Sequence, residues 1–327
     1  MTMPRIIRII AAAATLALLA LSSPATRAQG GDAVGKIVVG YPPGQSVDAV
    51  ARMLAGMLSG PLNRTMVVEN IAGQSGSIAL SSFARQPADG GTLTLAASAS
   101  LAVNPVLYKN VKYDTLKDFE PVGLLYDAPL LLLVNADLPV DSVASLIAYV
   151  KQNAGKISYS SPGNGSVSHL AMTEFMRRTA LAMTHVPYQG AAKSLTDLSS
   201  GQVQVTFETI GAAKPFLKTG KVRPLAVSSG KRVAYMSELP TVAESGLEGF
   251  DLVPWVGVLA PAGTPRDRVQ KVADELNRIA RSDEFVSRMV ALGTRPLTGT
   301  PDEFKAFLKS EVSRWAEVVR VSGAQVD

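Results

Sequence analysis

Tyr41-Pro42-Pro43-Gly44-Gln45-Ser46-Val47-Asp48 follows a short β-type run, residues 36–39, and leads into an apolar-periodic segment, residues 47–58, that sets Val50, Leu54 and Leu58 on one helical face. It reads as a strand-to-helix turn in which Gly44 lets the backbone come close to a bound group. Ser161-Pro162-Gly163-Asn164-Gly165-Ser166-Val167-Ser168 repeats the arrangement between a β-type run at 157–160 and a helical segment at 167–177. Ser46 and Ser166 each stand where a helix N-cap belongs. A helix start carries unpaired N–H groups and the positive end of the macrodipole, so it favours an anion. A plain tight turn is the competing reading of either loop. Two such loops, far apart in the chain, point instead to two lobes that each offer a helix start to one anionic ligand between them.

Outward from the loops, β and α patterns alternate along the whole chain, which argues for parallel or mixed sheets covered by helices. Strands are expected at 66–69, 92–96, 184–186, 203–207 and 222–227. Helices are expected near 77–85, 142–152, 192–198 and 212–218. Residues 122–134 form the longest β-like run, broken by Asp127 and Pro129 where a strand could cross between lobes. A second crossing is expected near 222–227. Thr264-Pro265-Arg266-Asp267 and Thr300-Pro301-Asp302-Glu303 both place Thr at N-cap, Pro at N1 and an acid at N3. Residues 254–263 read as a Pro/Gly-rich connection.

Composition narrows the chemistry. Arg5 and Arg8, an apolar run at 9–21 and small residues up to Ala28 form a secretory signal pattern. Cleavage is expected after Ala28, with Ala25 as the alternative site; an uncleaved anchor is the competing reading. No cysteine occurs anywhere, which excludes disulfides, thiolate chemistry and lipid attachment through an N-terminal cysteine. The formal charge of +5 includes Arg5, Arg8 and Arg27, so a chain cut after Ala28 keeps only +2. No basic run or aromatic platform supports nucleic-acid binding. Two histidines, His169 and His185, do not make a metal site. Gly73-Gln74-Ser75-Gly76-Ser77 misses the last glycine of a nucleophile elbow, and His169 more naturally bonds locally or lines a pocket than serves a catalytic triad. Gly163 to Ser168 is too degenerate for a dinucleotide fingerprint.

Polar groups at strand ends are the remaining candidates. Ser98, Ser100 and Asn104 lie just past the 92–96 strand, and Glu208 ends the 203–207 strand, where side chains of a two-lobed α/β protein face a cleft. Glu208 suits binding a donor group or repelling a second anion. Asp48 suits orienting its own loop through backbone N–H groups.

Longer strings carry a resemblance. Val68-Glu69-Asn70 with Gly73, Asp89-Gly90-Gly91-Thr92-Leu93, Asn104-Pro105 with Tyr108, and Tyr113-Asp114 with Asp118-Phe119-Glu120-Pro121-Val122 come first. His185-Val186-Pro187-Tyr188-Gln189-Gly190, Asp197-Leu198, Gly201-Gln202-Val203, Pro240-Thr241-Val242-Ala243-Glu244-Ser245-Gly246 and Ala260-Pro261-Ala262-Gly263-Thr264-Pro265 follow in order. The chain resembles the Bug family, the TctC-like periplasmic solute-binding receptors of tripartite tricarboxylate transporters.

The resemblance implies an α/β, two-lobed periplasmic binding protein of the Venus-flytrap kind, type 2-like, with two interlobe crossovers. Lobe one would comprise residues 33–126 and 229–327, and lobe two residues 127–228. A ligand carboxylate would be held through backbone N–H groups and bridging waters by the first loop (Tyr41, Pro43, Gly44, Gln45, Ser46, Asp48) and the second (Ser161, Gly163, Asn164, Gly165, Ser166, His169). Implied ligands are di- and tricarboxylates, acidic amino acids or aromatic acids. Implied partners are a large and a small membrane subunit, or a sensor kinase, with the receptor a monomer that has no cofactor and no catalysis. Two positions depart from the family pattern: Gln45 replaces the second of two paired glycines, and Glu208 stands where Asp is common.

Overall fold

The computed structural model describes residues 34–324; the leader expected over residues 1–28 lies outside them. Two mixed sheets divide the chain. The first has six strands, β1 (Val34–Val39), β2 (Thr65–Asn70), β3 (Thr92–Ala97), β4 (Phe119–Asp127), β10 (Trp255–Pro261) and β11 (Arg295–Pro296), in the order β11-β4-β10-β3-β1-β2. The second has five, β5 (Leu130–Asn135), β6 (Ser158–Ser161), β7 (Thr184–Pro187), β8 (Val205–Thr209) and β9 (Val222–Val227), in the order β7-β6-β8-β5-β9. β1 runs parallel to β2 and β3, and β6 parallel to β7 and β8; β10 and β5 run antiparallel to both their neighbours.

Side-chain alternation along each strand feeds two cores per sheet. Ile37 and Val39 pack with α1 (Ser46–Ser59), α8 (Arg266–Ala280) and α9 (Asp283–Ala291), whereas Val38 faces α2 (Ser77–Phe83) and the start of α10 (Pro301–Ser322). Leu130, Leu132 and Val134 pack with α4 (Val143–Gln152) and α5 (Val167–Thr179). Leu131 and Leu133 meet α6 (Ala191–Ser199) and α7 (Ile210–Leu217) instead. Burial on both faces explains why this strand is an unbroken apolar run.

The chain crosses between the sheets at Asp127–Leu130, where Asp127 and Pro129 interrupt the β pattern. It returns later than expected. After β9 it stays with the second sheet: Thr241 bridges to Val227, Leu252 N–H donates to the Ser228 carbonyl at 3.2 Å, and Val242, Leu247, Phe250 and Leu252 join that sheet's core. Residues 229–252, grouped above with lobe one, thus pack on the second sheet. The two crossing strands lie side by side, tied by Ala128 N–H to the Pro254 carbonyl at 2.8 Å.

Residues 254–263, read as a connection, contain instead the fully buried central strand β10. Its Gly257 carries no side chain because the ring of Phe304 occupies that space. α9 and the short β11 lie outside the expected elements, although α9 opens on Ser282 as N-cap with Asp283 and Glu284 in its first turn. Gln45, not Ser46, is the N-cap of α1. Pro265, not Thr264, caps α8, because the Thr264 hydroxyl donates back to the Pro261 carbonyl at 2.7 Å. Thr300 does form a full capping box with Glu303. Among the described residues no helix is long and apolar enough to cross a membrane.

Candidate ligand site

The first loop is locked from within. Asp48, buried in the first turn of α1, accepts the Gly44 N–H at 2.9 Å and Asn70 Nδ2 at 2.8 Å, and pairs with Arg52 Nε at 3.0 Å. The Arg52 hydrogen bond, more than burial opposes, holds its pKa down to about 2. Asp48 therefore shapes the loop, as its position suggested, and its oxygens face the loop's own donors. Asn70 Nδ2 also reaches the Tyr41 carbonyl at 3.0 Å, and the Tyr41 hydroxyl donates to the Ser75 carbonyl at 3.3 Å. Burial pushes the Tyr41 phenol up to about 12, so it stays a neutral donor. Pro43, Gly44, Gln45 and Ser46 are exposed. Gly44 takes φ +87°, a left-handed turn that glycine adopts without cost.

The second loop is organised by its histidines. Ser166 caps α5 by accepting the His169 N–H at 3.3 Å. His169 Nδ1 accepts the Gly165 N–H at 3.1 Å, which leaves the proton of the neutral ring on Nε2. Its ring stacks on His185 with centroids 4.1 Å apart, and His185 stacks in turn on Tyr159. Ser161 Oγ bonds His185 Nε2 at 2.8 Å and the Gly163 carbonyl at 3.0 Å. Burial first, and His185 second, hold the His169 pKa down to about 4. Gly165 lies against Leu107, whose side chain fills the place of a Cβ there. Asn164 is exposed at the tip.

Ser98, Ser100 and Asn104 serve the fold. Ser98 Oγ accepts the Trp255 N–H at 3.3 Å, Ser100 Oγ donates to the Ala97 carbonyl at 2.9 Å, and Asn104 Nδ2 donates to the Gln74 carbonyl and Ser77 Oγ, each at 2.8 Å. The segment after β3 is a buried π-helical turn, Ala99–Val103, rather than an open strand edge. Glu208 is likewise buried. Its Oε1 accepts the Thr209 N–H at 2.8 Å while Oε2 has no partner, and burial pushes its pKa up to about 7.

A cavity of about 470 Å³ opens between the two sheets. The first loop supplies Tyr41, Gln45, Ser46 and Val47; the start of α7 supplies Thr209, Gly211 and Ala212; the crossing strands supply Tyr126, Ala128, Pro254, Trp255 and Val256; and the end of α9 supplies residues 291–294. Of the sixteen expected site residues, Tyr41, Gln45 and Ser46 line it. The second loop contributes no wall residue to it: the helix start facing the first loop here is that of α7. Thr209 carried a readable N-cap signal, but nothing local marked Tyr126, Trp255 or Leu292 as neighbours.

The two helix ends differ. Gln45 makes no side-chain cap bond, so the first N–H groups of α1 are left to whatever enters beside Ser46 and Val47. At α7, Thr209 Oγ1 already accepts the Ala212 N–H at 3.4 Å.

A family model described as the tripartite tricarboxylate transporter family receptor matches residues 50–323. The chain belongs to that receptor family. BugT of Bordetella pertussis is 36% identical over 292 residues, which cover 89% of this chain and 90% of BugT. Rpa4515 of R. palustris, solved with adipate, matches with a TM-score of 0.77 at 36% identity over 89% of this chain and 98% of its own. MatC of Rhodopseudomonas palustris, solved with bound malate, matches with a TM-score of 0.72 at 29% identity over 88% and 98%. Members of this receptor family bind solutes and are not enzymes, and the fold is accordingly two-lobed, which leaves His169 no triad to serve.

Proposed function

We propose that this receptor works in the periplasm, where it captures a small carboxylate between its lobes and delivers it to the large and small membrane subunits of a tripartite tricarboxylate-type transporter. The observation that carries the reading is the uncapped start of α1 opening into the interlobe cavity. Such an end favours an anion without a buried cation, and two relatives hold dicarboxylates in their solved structures. On this reading Gln45, Ser46 and the first N–H groups of α1 meet the acid group. The second loop, held rigid by His169, closes over from the other lobe. Export follows from the leader, with cleavage near Ala28. The same fold could present its ligand to a sensor kinase; the family match to transporter receptors favours delivery.

A thermal-shift screen of the mature chain against a panel of carboxylic acids tests this. A ligand at 100 times its Kd adds about 2.7 kcal/mol of stability, so a cognate acid raises the melting temperature by several degrees. A panel of mono-, di- and tricarboxylates and acidic amino acids that leaves it unmoved would overturn the carboxylate assignment.

A further inference from the structure

The walls of the interlobe cavity are uncharged: Gln45, Ser46, Thr209 and Thr294 are its polar groups, and the rest is mostly apolar or aromatic. Tyr126, Trp255, Pro254, Val256 and Leu292 dominate it, and no Lys, Arg, His, Asp or Glu lines it. The charged groups flanking it in the chain, Asp127 beside Tyr126 and Arg295 beside Thr294, close on each other in a two-point fork, Nε to Oδ1 at 2.8 Å and an outer guanidinium nitrogen to Oδ2 at 2.6 Å. The fork offsets the guanidinium's charge with that of Asp127 and holds it there, and Arg295 is not among the cavity walls.

The two helix ends add a count of anion berths. The α1 end has no side-chain cap. The α7 end is already furnished with a protein carboxyl: Glu208 Oε1 holds the Thr209 N–H and, at 3.3 Å, the Thr209 hydroxyl. Glu208 is only 3% exposed and its Oε2 lacks any partner. A ligand anion brought to α7 would therefore meet a buried acid with an unpartnered oxygen, whereas the acid in the first turn of α1, Asp48, is already offset by Arg52 and the Gly44 N–H.

We propose that the ligand is a monocarboxylate with an apolar aliphatic or aromatic body. Its acid group lies at the start of α1, its body lies against Tyr126, Trp255 and Leu292, and Glu208 turns away a second carboxylate. This deepens the receptor reading above and rests on it. A cavity of about 470 Å³ is within the range of sites that enclose small organic molecules. An apolar body gains from burial in such walls, while a second carboxylate loses its hydration with no charged partner to replace it.

Calorimetry of the mature chain at pH 8 with matched pairs, hexanoate against adipate and benzoate against terephthalate, decides the matter. The expected result is that at least one monoacid binds, and binds at least tenfold tighter than its diacid partner. Glu208→Gln should narrow that gap, and Leu292→Arg, which sets a cation in the wall, should reverse it. The second variant keeps the test intact if the first fails to fold. A diacid that binds the wild type more tightly than its monoacid overturns the inference while leaving a carboxylate receptor standing. No binding of any of the four acids overturns the monocarboxylate inference and leaves the receptor reading to the wider thermal-shift panel. An unchanged gap in a folded Glu208→Gln removes Glu208 as the discriminating group.

Discussion

His169 is the residue on which the second loop depends. Its Nδ1 must be unprotonated to accept the Gly165 N–H, and the neighbouring imidazole of His185 penalises any charge there. The folded pKa of about 4 lies below the ordinary 6.5. Above pH 6.5 the ring is neutral in both folded and unfolded chains, and its contribution is complete. As the pH falls below 6.5 the unfolded chain takes up a proton that the folded one refuses, so stability is lost progressively down to about pH 4. The loss attributable to this group is on the order of 2–3 kcal/mol. Denaturant unfolding of the wild type and of His169→Gln at pH 7 and pH 4.5 measures it: the difference between the two proteins should shrink or change sign at the lower pH. A pH-independent difference would show that the ring is not held neutral by burial. Asp48 is the contrasting case, a carboxylate stabilised by Arg52 and by its own loop's N–H: its contribution is complete above the ordinary 3.8 and is lost as the pH falls from there to about 2.

At the scale of elements, the start of α7 and the end of α9 meet across the cleft without side chains between them. A Cβ on Gly211 would run into the Leu292 carbonyl, and one on Gly293 would come within 2.6 Å of the Gly211 nitrogen. Lys214 Nζ reaches the Ala291 carbonyl at 3.4 Å beside them. The positive end of one helix thus faces the negative end of the other, a favourable alignment of dipoles. Gly211→Ala separates two effects. Alanine is the better helix former by at most about 1 kcal/mol, against which stands the cost of displacing the Leu292 carbonyl, so the melting temperature should stay level or fall slightly. The added methyl should still pry the lobes apart and weaken binding of any acid found in the screen by about tenfold. A lowered melting temperature with unchanged affinity would mean that the junction supports the fold and not the closed cleft.

At the scale of the whole molecule, the two units join where the chain crosses between the sheets and along one long helix. The crossing strands lie together at Ala128 and Pro254, and α10 runs roughly 33 Å along both units, with Phe304 and Leu308 in the first core and Trp315, Val318 and Val319 in the second. Glu311 anchors it at the junction, accepting the indole N–H groups of Trp255 at 2.6 Å and Trp315 at 2.9 Å. Closure about this junction is the expected response to ligand. A compact chain of about 300 residues, the length left by cleavage after Ala28, has a radius of gyration of about 19 Å. Small-angle scattering should therefore give a larger value without ligand and a fall toward that figure with a saturating acid; identical profiles would indicate a rigid, preformed site.

Much of this architecture is legible in local sequence, because the signals act over a few residues. The alternation of β and α patterns, the apolar run at 130–134 and the capping box at Thr300 depend on near neighbours, and the buried strand and the helix start formed where those neighbours put them. So did the first crossing, where Asp127 and Pro129 cannot continue a buried strand. Tertiary structure alone decided what depends on distant partners. β10 is a strand because β3 and β4 hydrogen-bond it on both sides and Phe304 fills the space over Gly257. Ser98 and Asn104 became structural once Trp255 and Ser77 came within reach of them. The start of α1 faces that of α7 rather than α5 across the cavity because strand order, set by long-range pairing and packing, determines which helix ends share a cleft.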